Sequence, residues 1–126
     1  MRQAEIQKAV FDLLVIGVAP VKVYDDVPQG ASFPYVVIGD DTSIPWDTDD
    51  SVGSESTLTI HVWSRYSGRK EMKDIMRKVY TSLNRKTATL SGGILIDMLF
   101  EFAESFLDSD GESRHGVMRI RATIDG

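Results

Sequence analysis

Leu58-Thr-Ile-His-Val-Trp-Ser-Arg65 is followed by Tyr66-Ser-Gly68 and then by a run from Arg69 to Leu83. In the first stretch Leu58, Ile60 and Val62 share one face, and Thr57, Thr59, His61 and Trp63 share the other, the period of a strand. After the Ser-Gly break, Met72, Ile75, Met76, Val79, Tyr80 and Leu83 recur at i, i+3, i+4, i+7 and i+8, the period of a helix with one buried face. A strand running directly into an amphipathic helix fixes the local architecture, and the segments on either side are read against it.

Upstream, residues 2–16 read as a helix. Ile6, Val10, Leu13 and Leu14 form its stripe, and Gly17 and Pro20 end it. Val21-Lys-Val-Tyr24 is a short strand, and 25–30 is a turn carrying Pro28 and Gly30. Pro34-Tyr-Val-Val-Ile-Gly39 is too apolar to lie open to water, and Pro34 suits the start of a strand. Between residues 40 and 56 the chain turns acidic around an apolar island, Ile44-Pro-Trp46. This reads as a long loop or extended hairpin arm, partly mobile.

Downstream, Asn84-Arg-Lys86 and Ser91-Gly-Gly93 read as turns. Residues 94–106 read as one long strand, with Ile94, Ile96, Met98, Phe100 and Phe102 alternating against Leu95, Asp97, Leu99 and Glu101. Residues 108–113 form a polar hairpin loop. In the last strand Met118, Ile120, Ala122 and Ile124 oppose Arg119, Arg121 and Thr123. The order α-β-β-β-α-β-β predicts an α+β fold: a mostly antiparallel, mixed sheet of about five strands with two helices on one face.

A chain of 126 residues is long enough to bury a core as one domain, residues 1–126. A net charge of −5 disfavours general binding to phosphate backbones. With no cysteine, disulfides, thiolate metal sites and a Cys nucleophile are excluded, which fits a reducing cytoplasm. The apolar run at 10–21 is broken by Asp12, Gly17 and Pro20 and has no basic leader, so neither a signal peptide nor a membrane span is expected.

No catalytic or cofactor motif emerges. Asp47-Thr-Asp-Asp-Ser-Val-Gly53 fails the calcium-loop pattern, with Val52 where Gly is required and Leu58 where the bidentate Glu belongs. The second acidic run, 108–112, has its Gly too early and Arg119 at the twelfth position. His61 and His115 stand in no zinc-ligand spacing. There is no GxSxG elbow, and Gly92-Gly93 lacks the context of a phosphate loop. Solvated loop acids account for the carboxylates, and no metal or cofactor is expected.

The order and spacing of the PYVVIG strand, the HVWSR strand with its helix, and the closing hairpin resemble the tail completion proteins of long-tailed phages. These are grouped with tail terminators and head–tail joining proteins. The resemblance covers most of the chain. It implies a structural, non-enzymatic protein that forms a ring, commonly of six copies, on the end of the tail tube. The implied partners are other copies of itself, the tube protein and the head connector or adaptor, with DNA passing through the lumen unbound and no membrane involved. The implied location is the host cytoplasm during assembly, then the head–tail interface of the virion. Candidate interface residues are Trp46, Asp47, Asp49, Asp50, Asp108 and Asp110. Trp46 either anchors a neighbouring subunit or folds back on its own domain. His61, Trp63, Arg65, Arg119 and Arg121 are the candidate exposed sheet face. Aromatics interleaved with arginines on a sheet also suit single-stranded nucleic acid, so a small nucleic-acid-binding module is the alternative.

Overall fold

In the computed structural model, which describes residues 2–47 and 52–126, the chain folds as an α+β sandwich of one sheet and two helices. The elements are α1 (Gln3–Gly17), β1 (Lys22–Tyr24), β2 (Tyr35–Pro45), β3 (Gly53–Ser64), α2 (Lys70–Leu83), β4 (Ala88–Leu90), β5 (Gly93–Leu107) and β6 (Arg114–Asp125). The class and order of elements agree with the sequence reading, but the sheet has six strands where about five were expected. The added strand is β4, three residues hidden between two turn signals.

The sheet order is β1-β2-β3-β6-β5-β4. β1 lies parallel to β2, and every other neighbouring pair is antiparallel. Alternation places Leu58, Ile60 and Val62 of β3 and Met118, Ile120, Ala122 and Ile124 of β6 in the core. The helices cover that face. α1 contributes Ile6, Val10 and Leu14, and α2 contributes Met72, Ile75, Val79 and Leu83, all buried. Each full side chain buried there is worth about 1.5–3 kcal/mol of transfer free energy, and together they hold the two layers.

Close approach fixes how the layers meet. A Cβ on Gly17 would fall 1.7 Å from Ser82 Oγ, so the end of α1 rests directly on α2. A Cβ on Gly116 would fall 2.7 Å from Met72 Sδ, which sets α2 down on β6. Ser64 Oγ, at the end of β3, donates to Glu71 Oε1 at 2.7 Å and ties the strand to the first turn of the helix.

Two readings of side-chain direction are corrected. In β5 the register slips at 95/97 and at 100/102, so Ile96 and Glu101 are bulge residues. Leu95 and Met98 are buried while Ile94 and Ile96 are exposed, against the uniform alternation expected. Tyr80 of α2 is exposed rather than buried, its ring lying 5.1 Å from that of Phe100. Among the described residues, no helix is long and apolar enough to cross a membrane.

Candidate functional site

The face of the sheet away from the helices carries no second layer among the described residues, and the register lines up its side chains in rows across the strands. One row is aromatic. Tyr35 of β2 stands opposite Trp63 of β3, Trp63 opposite His115 of β6, and His115 opposite Phe106 of β5. Trp63 and His115 stack with centroids 3.8 Å apart and planes 13° apart. Phe106 closes on His115 at 5.1 Å, and Tyr24 meets Tyr35 edge-on at 5.9 Å. Arg65, just past the end of β3, lies 4.3 Å over the Phe33 ring, a cation–π contact, and its Nε donates to Ser113 Oγ.

His61 sits one row inward. Its Nδ1 lies 2.8 Å from His115 Nε2, so one imidazole donates and the other accepts, a contact that needs at least one neutral ring. Burial pushes both pKa values below the usual histidine value. Asp40 opposes this at His61. At His115 the charge of His61 adds to the lowering, while Asp108 and Glu104 oppose it. Gly39 makes room for the pair, since a Cβ there would come 2.8 Å from the His61 ring.

β3 and β6 bring His61, Trp63, Arg119 and Arg121 onto one face, with Arg65 just past its end, and the arginines are partly spent within it. Arg121, opposite Thr57, is held between Glu55 and Glu101. Arg119, opposite Thr59, lies 5.8 Å over the Phe102 ring. With Asp40 and Glu104 also near this face, it offers aromatic surface with mixed charge rather than a cationic track. His115 was missed as a member. The six-residue loop 108–113 sets Leu107 against Arg114 and hence Phe106 against His115, a register that the hairpin reading already held.

The acidic candidates divide. Asp110 braces its own loop. Its Oδ1 accepts the N–H groups of Glu112 and Ser113, its Oδ2 accepts the Ser113 hydroxyl, and these bonds lower its pKa to about 2. The Asp108 N–H donates to the Ser113 carbonyl. At the other end of the sheet, the hairpin pairing of β2 with β3 continues to Pro45 and Ser54. Trp46 lies against Gly53, where an added Cβ would come 2.3 Å from the indole. Its N–H donates to the Gly53 carbonyl, and 37% of the residue is exposed. Asp47 is exposed beside it, and Asp49 and Asp50 lie outside the described residues. No cluster of three or more His, Cys, Asp or Glu positioned for a metal occurs among the described residues.

The comparisons agree with this architecture. A family model described as tail completion protein gp17 matches residues 8–125. The tail completion protein gp17 of Bacillus phage SPP1 is 36% identical over 93 residues, 74% of this chain and 69% of that protein. The solved structure of bacteriophage SPP1 gp17 is 30% identical with a TM-score of 0.62, covering 95% of this chain and 88% of that one. A chain from the virion of a native gene transfer agent particle is similar in fold, with a TM-score of 0.86 at 24% identity over 98% of this chain and 97% of that one. A family match spanning nearly the whole chain, joined to a relative above one third identity, places the protein in the gp17 family of phage tail completion proteins, structural components of the virion tail.

Proposed function

We propose that this chain completes a phage or prophage tail by capping the upper end of the tail tube as a ring of its own copies, six in the assembled tail. The ring stops growth of the tube and presents a surface to the head connector. The observation that carries the reading is the gp17 family match over residues 8–125. The fold supplies what such work needs. One face of the sheet is sealed by helices, and the other is left as a rigid aromatic surface for docking. No reacting group is required, because the role is self-association and docking. The domain acts as one unit over residues 1–126. An acidic chain of net charge −5 suits a lumen through which DNA passes without being held.

The test is electron microscopy of particles from a phage or prophage carrying a null allele of this gene. Unjoined heads beside tails of irregular or excessive length are expected. Normal joined virions would overturn the reading, and salt-sensitive binding of single strands by the purified protein would then place the nucleic-acid alternative first.

A further inference from the structure

The two long strands β2 and β5 are only partly covered at their outer edges, β2 by β1 at one end of the sheet and β5 by β4 at the other. On one side β1 pairs with β2 only at Tyr35, Val36 and Val37, leaving the outer edge of 38–45 open among the described residues. On the other side β4 pairs with β5 at Gly93, Ile94 and Leu95 and the Arg85 N–H donates to the Met98 carbonyl, leaving the outer edge of 99–107 open among the described residues. The register carries one level across the sheet from Pro45 through Ser54 and Ile124 to Leu95, and another from Tyr35 through Trp63 and His115 to Phe106. Ala88, the first residue of β4, is therefore level with Pro45 at the end of the β2 gap, while Lys22, Val23 and Tyr24 of β1 are level with Phe106, Ser105 and Glu104 in the β5 gap.

We infer that the β1–β2 edge of one copy pairs with the β4–β5 edge of the next, so that the sheet runs on from subunit to subunit around the ring. This deepens the ring reading above and rests on it. Strand directions allow the joint. Counting across the sheet, β1 runs antiparallel to β5, and β4 runs parallel to β2. The second β5 bulge leaves 102–107 as a regular stretch for β1 to meet. The contact joins unlike surfaces, the heterologous kind that closes into a ring when its rotation permits.

Charge and apolar surface select a second copy as the occupant. Lys22 of β1 stands level with Phe106 and diagonal to Glu104, an opposite-charge cross-strand pair once the copies meet. At the other step, Arg85 is held level with Ser43 by its N–H bond to the Met98 carbonyl. Arg85 is paired with Asp97 of its own chain at 2.8 Å, which leaves Lys86, without an ion-pair partner among the described residues, to approach the neighbour's exposed Asp41. Leu99, Phe102 and Phe106 are each more than 40% exposed along the β5 gap, and Ile44 is 62% exposed along the β2 gap. A long apolar edge left open is an aggregation hazard unless a partner covers it.

The chain has no cysteine, so a cross-link can be placed at will. Ile44 and Thr87 each immediately precede the shared Pro45–Ala88 level, and with β4 parallel to β2 they stand level with each other across the joint. Tails assembled with the double variant Ile44→Cys/Thr87→Cys and then mildly oxidised should give a ladder of disulfide-linked multimers ending at the ring size. Each single variant should give monomer alone, because a head-to-tail contact never brings a residue to its own copy. Absence of a ladder from tails that complete normally overturns the edge pairing and leaves the tail-completion reading standing. If the double variant fails to fold, charge reversal decides. Asp41→Lys and Lys86→Glu should each lower the yield of joined virions about tenfold, the equivalent of about 1.4 kcal/mol. The two together should restore it, and no restoration overturns the pairing. A null allele that leaves virions normal removes the function instead, whatever the cross-links formed by concentrated purified protein.

Discussion

Gly53→Ala tests how the indole of Trp46 is seated. Gly53 is buried and its backbone lies outside the left-handed region, so alanine is permitted there, and the change by itself gains about 0.5–1 kcal/mol of backbone entropy. The obstacle is the indole. Three of its carbons lie 2.3, 2.4 and 2.6 Å from the position of the new methyl, far inside contact distance, so the ring must leave its seat. Trp46 is 37% exposed, hence nearly two thirds covered by its own hairpin. Taking about 250 Å² for a whole tryptophan at ~25 cal/mol per Å², the covered part is worth about 4 kcal/mol at most. A ring that tilts out and keeps half its contacts loses about 2 kcal/mol, for a net cost of about 1 kcal/mol after the backbone gain. The assay is tryptophan fluorescence in a Trp63→Phe background, where Trp46 is the sole emitter because the chain has two tryptophans. A red-shifted emission, stronger acrylamide quenching and a lowered urea midpoint are expected. Unchanged emission and quenching would mean that the indole does not rest on Gly53, and the reasoning fails. Unlike Trp46→Ala, this variant keeps the side chain, so its effect on tail assembly reports where the indole sits rather than whether it exists.

Acid should weaken the fold in two windows. The folded pKa of both histidines lies below the usual ~6.5, so the stability they contribute is present above about pH 6.5 and fades as pH falls through their lowered values. His115→Gln should flatten the fall in the urea midpoint between pH 7 and 5, and an unchanged slope would refute the role of the pair. The contribution of Asp110 is present above its ordinary value of 3.8 and lost as pH falls through about 2, so Asp110→Asn should alter only the lower window. Gly17→Ala should cost about 1–3 kcal/mol by driving a methyl to 1.7 Å from Ser82 Oγ and 2.7 Å from Ser82 Cβ; calorimetry should show partial rescue by Ser82→Ala, which removes the Oγ contact and leaves the Cβ contact. Ser64→Ala removes a fully buried hydroxyl that donates to Glu71 and accepts the Tyr66 N–H, and a loss of about 1.5–3 kcal/mol is expected in denaturant titration.

The elements that sequence alone rendered well are those with a long, unbroken period. α2 and β3 show three or more core residues at constant spacing, and β6 alternates without a break from Gly116 to Ile124. β5 defeated the same reasoning because a bulge inserts one residue and inverts the pattern, and two bulges invert it twice. Hydrophobic residues on both faces of β5 hid the slip, since every phase looked acceptable. β4 was invisible for another reason. Ala88-Thr-Leu90 has no period of its own and exists because the Ser91–Gly93 turn folds it onto β5. The aromatic row shows a third limit. Trp63 and Arg65 were noticed through their neighbours in sequence, whereas His115 and Phe106 join them through register, which composition does not carry.

The sheet carries two kinds of exposed surface, open edges and an aromatic row, which meet at Phe106, and their arrangement suits a tail-completing ring. Backbone edges are open at the lateral sides, where copies would stand beside one another. The aromatic row crosses the open face near the end that holds the 108–113 loop, whereas Trp46 lies at the opposite end of the strands. Copies joined edge to edge all point the same way, so every Trp63–His115 stack falls near one rim of the ring and every Trp46 at the other. A ring built in this way has two chemically different rims by construction. It can then meet a tube on one side and a connector on the other without relying on symmetry to tell them apart. The stack near one rim is held by register, by His61 and by the Asp110-braced loop. At the other end of the strands the Trp46 indole lies over Gly53. Substitutions at Trp63 or His115 should therefore impair docking while leaving the lateral ladder of cross-links intact, and loss of the ladder from either change would mean that face and edge are not independent.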